Sequence, residues 1–196
     1  MSRDLETAVA PVASALEALT VDYYLAGSVI SSLFGVARAT ADVDLVAALR
    51  REHARPLVHA LGDSYYADED MALDAISRRS MFNVIHLGTM LKVDVYIAGT
   101  AFDRSALSRR QRDTIVADSP AKEFAIASAE DVVLHKLRWF RDGGELSDRQ
   151  WGDILGVLRV QRALDLAFMR TWATDLEISD LLERALAEAS QPPRAR

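Results

Sequence analysis

The sequence predicts an α+β fold: a short, mixed, twisted β-sheet with helices packed on it, followed by a C-terminal α-helical bundle. Three observations carry that prediction. Short β-prone runs alternate with helical periods over residues 21–97, a hairpin signal closes that stretch, and the chain beyond about residue 120 is helical throughout.

The elements follow in order. Residues 4–19 form an amphipathic helix, with Leu5, Val9, Val12, Leu16 and Leu19 near helical spacing and Pro11 marking a kink or a late start. Val21–Ala26 is a short strand that stops at Gly27-Ser28, and Ser28 caps a short helix through Phe34, ended by Gly35. The next strand is Ala41–Ala47, and a helix over 51–61 closes at Gly62. A minor strand at Tyr65–Ala67 precedes a helix over 69–79 with Arg78-Arg79 in its last turn. Phe82–Leu87 and Met90–Ile97 flank Gly88-Thr89 as a hairpin with a two-residue turn. Residues 99–120 hold no steady period and read as a loop with a helical piece around Ser105–Arg112. Capping boxes Ser128-x-x-Asp131 and Ser147-x-x-Gln150 open helices over 129–141 and 148–161, separated by Gly143-Gly144. Helices over 164–175 and 178–189 follow, and 191–196 is a frayed, disordered tail.

Composition narrows the function classes. With 196 residues, half of them apolar, the chain can build a sizeable core. A net charge of −6 argues against nonspecific coating of nucleic acid, so any such contact needs a local basic patch. The absence of cysteine excludes disulfides, Cys-ligated zinc and thiol nucleophiles. No stretch resembles a signal peptide or a membrane span, which makes a cytoplasmic location the expectation.

Three features converge on one chemistry. Gly27-Ser28 stands where a strand turns into a helix, where backbone can approach a ligand and free N–H groups can meet a phosphate. Asp42 and Asp44 alternate with Val43 and Leu45, so the two carboxylates share a strand face, an arrangement that a divalent cation relieves. Asp94 lies on the second hairpin strand, where Leu91, Val93, Val95 and Ile97 form the core face and Lys92, Asp94 and Tyr96 project oppositely. If the two strands are neighbours, three carboxylates meet at one sheet edge, as two-metal phosphoryl transfer requires.

Leu25-Ala-Gly-Ser28, Arg38-Ala-Thr40-Ala-Asp42-Val-Asp44 and Lys92-Val-Asp94 together resemble the signature of the polymerase-β-like nucleotidyltransferase superfamily. The R-x-T-x-D-x-D form is similar to its AbiEii/MenT-like branch of toxin nucleotidyltransferases, as are Glu130-Asp-Val-Val-Leu-His-Lys136-Leu and Asp148-Arg-Gln-Trp-Gly-Asp153-Ile. The resemblance implies a nucleotidyltransferase core over 1–120 and a helical region over 121–190 that closes the active-site cleft. It implies Mg²⁺ (or Mn²⁺) on Asp42, Asp44 and Asp94, with Asp94 also as base toward the acceptor. It implies that Lys136, oriented by Asp153, joins Gly27 and Ser28 in holding the NTP. By strand parity, if the strand extends that far back, Thr40 and Arg38 share the face of Asp42, where Thr40 touches phosphate or metal-bound water, against the plainer reading of a β-prone strand entry. A tRNA 3′ end as acceptor and an antitoxin protein as partner come with the toxin branch, and no membrane is implied. A small-molecule acceptor such as an aminoglycoside, and a catalytically silent antitoxin-like binding module, are the rival readings.

Other features support no chemistry of their own. His53, His59, His86 and His135 lack metal-binding spacing, and His86 reads as a hydrogen-bonded structural residue. Trp139, Trp151 and Trp172 fall on helices and read as packing residues. Arg104, Arg109, Arg110 and Arg112 cluster in or beside the long loop as a candidate acceptor patch, against the commoner reading of a solvated charge run.

Overall fold

Alternation sets the sheet. Val43, Leu45, Val93 and Val95 are fully buried, and the residues between them carry the polar groups of β2 (Asp42–Ala47) and β5 (Leu91–Ile97). The computed structural model describes residues 3–37, 40, 42–115 and 122–191. It divides into two units, one of residues 1–29 and 39–127 and the other of residues 30–38 and 128–196.

The first unit holds the whole sheet. Its strands are β1 (Tyr23–Ala26), β2, β3 (Tyr65–Tyr66), β4 (Met81–His86), β5, β6 (Gln111–Asp113) and β7 (Phe124–Ile126), in the order β3-β4-β5-β2-β1-β7-β6. The sheet is mixed as expected: β2 runs parallel to β5 and β1 parallel to β7, while the other neighbours are antiparallel. Helices α1 (Arg3–Ala18), α3 (Arg51–Leu61), α4 (Glu69–Arg78) and α5 (Ala101–Arg109) belong to this unit. α1 packs on β5 and α3, and its Leu5, Val9, Val12 and Leu16 are all at most 2% exposed. Pro11 lies on the exposed side of α1, and the helix already begins at Arg3, ahead of it. The short helix α2 (Gly27–Phe34) starts in the first unit and ends in the second.

Three local expectations are corrected. The β4–β5 connection has four residues, Leu87–Met90, because His86 pairs with Leu91; Met90 takes φ +57° and donates its N–H to the His86 carbonyl at 2.8 Å. The helix after β5 spans Ala101–Arg109 instead of starting near Ser105, because the Thr100 hydroxyl accepts from the Asp103 N–H while Asp103 accepts from the Thr100 N–H. The stretch beyond residue 120 is not wholly helical: β7 adds a buried strand beside β1 before the first C-terminal helix.

The second unit gathers α6 (Ala129–Asp142), α7 (Asp148–Val160), α8 (Leu166–Asp175) and α9 (Ser179–Ala189) with residues 30–38. Ser128 and Ser147 cap α6 and α7 as expected, accepting from the N–H groups of Asp131 and Gln150. Gly35 lies so close to α7 that a Cβ on it would stand 2.8 Å from the Gly156 carbonyl carbon and the Val157 nitrogen. The tryptophans pack as expected: Trp151 stacks near Phe140 at 5.2 Å, donates to Glu188 at 2.9 Å, and lies under the Arg184 guanidinium at 4.2 Å. The expected tail at 191–196 lies outside the described residues apart from Gln191. Among the described residues no helix is long and apolar enough to cross a membrane.

Candidate active site

β2 begins at Asp42 and lies directly beside β5, with Asp42 opposite Lys92, Asp44 opposite Asp94 and Val46 opposite Tyr96. Register partners in a parallel pair point the same way, and residues two apart on a strand share a face. Asp42, Asp44, Lys92, Asp94 and Tyr96 therefore occupy one face, with the parity opposite to the buried valines and Leu45. Asn83 of β4 faces Asp94 from the other side. Exposure falls along the set: Asp42 is exposed, Asp44 is half-buried and Asp94 is 6% exposed.

Charge on this face is tightly coupled. Lys92 Nζ lies 2.8 Å from Asp94 Oδ2. That hydrogen bond, followed by the charges of Asp94, Asp42 and Asp44, raises the lysine above its ordinary pKa. Burial, then the charges of Asp44, Asp94 and Asp42, raises the Tyr96 phenol, which also shares a hydrogen bond with Asp44. The second oxygen of Asp94, Oδ1, is buried without a hydrogen-bond partner. An orphaned carboxylate oxygen costs stability unless something donates to it or binds it.

Two neighbours shape the acids. The Thr40 hydroxyl donates to Asp42 Oδ1 at 2.8 Å, fixing the first carboxylate at the start of β2. Arg38 lies outside the described residues. Gly27, with φ +64°, follows β1 and backs onto Asp44: a Cβ at Gly27 would stand 1.7 Å from Asp44 Oδ2. Only glycine tolerates both that dihedral and that approach. Ser28, expected as the cap of the short helix, is instead the second residue of α2 and half-buried, because the helix already starts at Gly27.

Among the described residues, no three His, Cys, Asp or Glu side chains form a group that could hold a metal ion as they stand. The donor set nevertheless fits a hard divalent cation. Asp42, Asp44 and Asp94 supply carboxylate oxygens on one face, Asp94 Oδ1 awaits a partner, and the missing side chain at Gly27 leaves Asp44 room.

Lys136 and Asp153 belong to the second unit. They form a salt bridge of 2.8 Å between α6 and α7, with side chains only 3% and 8% exposed. The lysine is thus buried deeper than its apolar neighbours in sequence suggested, and its charge is neutralised inside its own unit.

The remaining candidates resolve locally. His86 Nδ1 lies 2.9 Å from the Thr89 hydroxyl and accepts from the Thr89 N–H, which makes it a structural residue of the β4–β5 turn. Arg110 is paired with Asp22 at 2.6 Å, and Arg112 with Glu17 at 3.3 Å. Sequence reasoning placed Lys92 and Tyr96 beside Asp94 without giving them a part, and overlooked Asn83; strand parity was the signal for the first two.

No family model and no curated protein matches the sequence. Solved structures do match the backbone. One is an antigenic nucleotidyltransferase-like protein from Paracoccidioides brasiliensis, with a TM-score of 0.53 and 19% identity over 95% of this chain and 94% of that one. Another is the antibiotic-resistance factor ANT(2'')-Ia, with a TM-score of 0.53 and 15% identity over 96% of each chain. The fold is that of nucleotidyltransferase-like proteins. At these identities the likeness is one of backbone architecture alone.

Proposed function

We propose that this protein is a nucleotidyltransferase that moves a nucleoside monophosphate from an NTP onto an acceptor hydroxyl. One observation carries the reading: Asp44 and Asp94 stand opposite each other on adjacent parallel strands, with Asp42 on the same face and Gly27 pressed against Asp44. In-line transfer needs clustered carboxylates beside a strand-to-helix turn that lets phosphate approach backbone.

Asp42, Asp44 and Asp94 would hold Mg²⁺ or Mn²⁺. A cation bound there would offset phosphate charge and lower the pKa of the acceptor hydroxyl. Asp94 Oδ1, a buried oxygen without a donor, takes the proton of the acceptor hydroxyl. The acceptor oxygen bonds to the α-phosphorus as the bond from that phosphorus to the bridging oxygen breaks, and pyrophosphate leaves. Thr40 fixes the orientation of Asp42. Gly27 and Ser28, opening α2, offer the phosphates backbone N–H groups. For Lys136 the family resemblance supplies the role, contact with the NTP phosphates, and Asp153 holds its ammonium in place.

Two acceptor classes follow. The resemblance to the toxin branch favours a tRNA 3′ end, and with it an antitoxin partner. The pairing of Arg110 and Arg112 with acidic neighbours, together with the net charge of −6, favours a cationic small molecule.

Incubating the full chain and Mg²⁺ with each labelled NTP, and with either total tRNA or a panel of aminoglycosides, separates the two. Label should pass to one acceptor class in wild type and fall at least ~10³-fold in Asp44→Asn, the scale of losing a principal electrostatic group. Full transfer by folded Asp44→Asn overturns the proposal. Failure of any Mg²⁺–NTP to raise the melting temperature favours the catalytically silent reading instead.

A further inference from the structure

Lys92 is a cation built into the acidic face. Its Nζ lies 2.8 Å from Asp94 Oδ2, and its side chain is 40% exposed where that of Asp94 is 8% exposed. It also stands opposite Asp42 in the strand register. The ammonium thus offsets repulsion among three carboxylates that the sheet forces together. A partly exposed lysine on a flexible stem can swing into water readily, whereas Asp94 is fixed on a central strand.

We propose that Lys92 is a displaceable counter-ion that holds the Asp42–Asp44–Asp94 face together before substrate arrives and competes with free divalent cation for Asp94. This positioning role rests on the nucleotidyltransferase reading. A cation must displace the ammonium, so its apparent affinity is reduced by the fraction of molecules in which Asp94 is released. A nucleotide complex shifts that balance, because its phosphates give the displaced ammonium an anionic partner. The face therefore discriminates against free metal and in favour of metal that arrives with a nucleotide.

The test is a Mn²⁺ titration of the full chain by calorimetry, with and without a non-hydrolysable NTP analogue. Wild type, Lys92→Met, Lys92→Gln and Lys92→Arg are compared. Free Mn²⁺ should bind Lys92→Met and Lys92→Gln on the order of 10-fold more tightly than wild type, while Lys92→Arg stays near wild type. Without metal the two neutral variants should melt below wild type, and Mn²⁺ should close that gap. Lys92→Gln keeps a hydrogen-bond donor toward Asp94, so it serves where Lys92→Met does not fold. Wild type binding Mn²⁺ with no gain, or a loss, in the neutral variants overturns the counter-ion role alone. Failure of every protein to bind Mn²⁺, with and without the analogue, overturns the metal-dependent reading beneath it.

Discussion

Replacing Gly27 with alanine tests how closely the strand-to-helix turn is built against the acidic face. Two costs add. A non-glycine residue in the left-handed region loses about 1–2 kcal/mol, and Gly27 sits there at φ +64°. The new methyl carbon would also stand 1.7 Å from Asp44 Oδ2 and 2.5 Å from its Cγ. Asp44 must then leave its rotamer, at about 0.5–1.5 kcal/mol. Restricting the unfolded chain returns about 0.4–1 kcal/mol, so the net loss is about 0.5–3 kcal/mol by these figures. All three tryptophans lie on helices of the second unit, so the first unit carries no tryptophan of its own. Urea unfolding followed by far-ultraviolet circular dichroism is the appropriate assay. In an Asp44→Ala background, which removes Oδ2 and Cγ but leaves a Cβ 2.8 Å from the new methyl, the same substitution should cost less than in wild type, giving a coupling of about 1 kcal/mol in the double-mutant cycle. A Gly27→Ala protein as stable as wild type, or a cost unchanged by Asp44→Ala, would show that the glycine does not back onto the carboxylate.

Three further outcomes follow from other parts of the molecule. Asp153→Ala leaves the buried Lys136 ammonium without its partner and should destabilise by about 3–5 kcal/mol, whereas Lys136→Met with Asp153→Leu should cost far less; urea midpoints compare them. Gly35→Ala drives a methyl to 2.8 Å from α7 backbone that cannot rotate aside, so a loss of about 1–3 kcal/mol is expected, read by tryptophan fluorescence. Glu17 is opposed by burial but held below its ordinary pKa of 4.5 by hydrogen bonds from Lys122 and Tyr23. A lowered carboxylate stabilises the fold above its unfolded pKa, and that contribution is lost as pH falls through the lower folded value. Melting temperature should therefore drop more steeply below pH 4.5 in wild type than in Glu17→Gln; equal slopes would refute the assignment.

Much of the site was legible because strand parity is a strict rule. On any β-strand Asp42 and Asp44 share a face, and Val93 and Val95 dictated where Asp94 pointed. The adjacency of β2 and β5 was less accessible, since no local signal states which strands pair across the two helices and two strands, α3, β3, α4 and β4, that lie between them. β6 and β7 escaped notice because three residues are too few to show a period; their strand character comes from pairing with each other and with β1. The start of α5 was encoded in Thr100-x-x-Asp103, a capping pattern equal in form to the one recognised at Ser128. Lys92 was visible by parity, but its engagement with Asp94 is a property of side-chain reach that sequence spacing does not express.

The position of β5 ties assembly to completeness. It is flanked by β4 on one side and β2 on the other, so the strand that delivers Asp94 also joins two parts of the sheet. A nascent polypeptide that ends before Leu91 holds its first two acids and its glycine turn beside β1, yet lacks the strand that carries the third acid. Synthesis must pass that strand before the three-carboxylate face is complete, and a fragment cut ahead of it forfeits the link between β2 and β4.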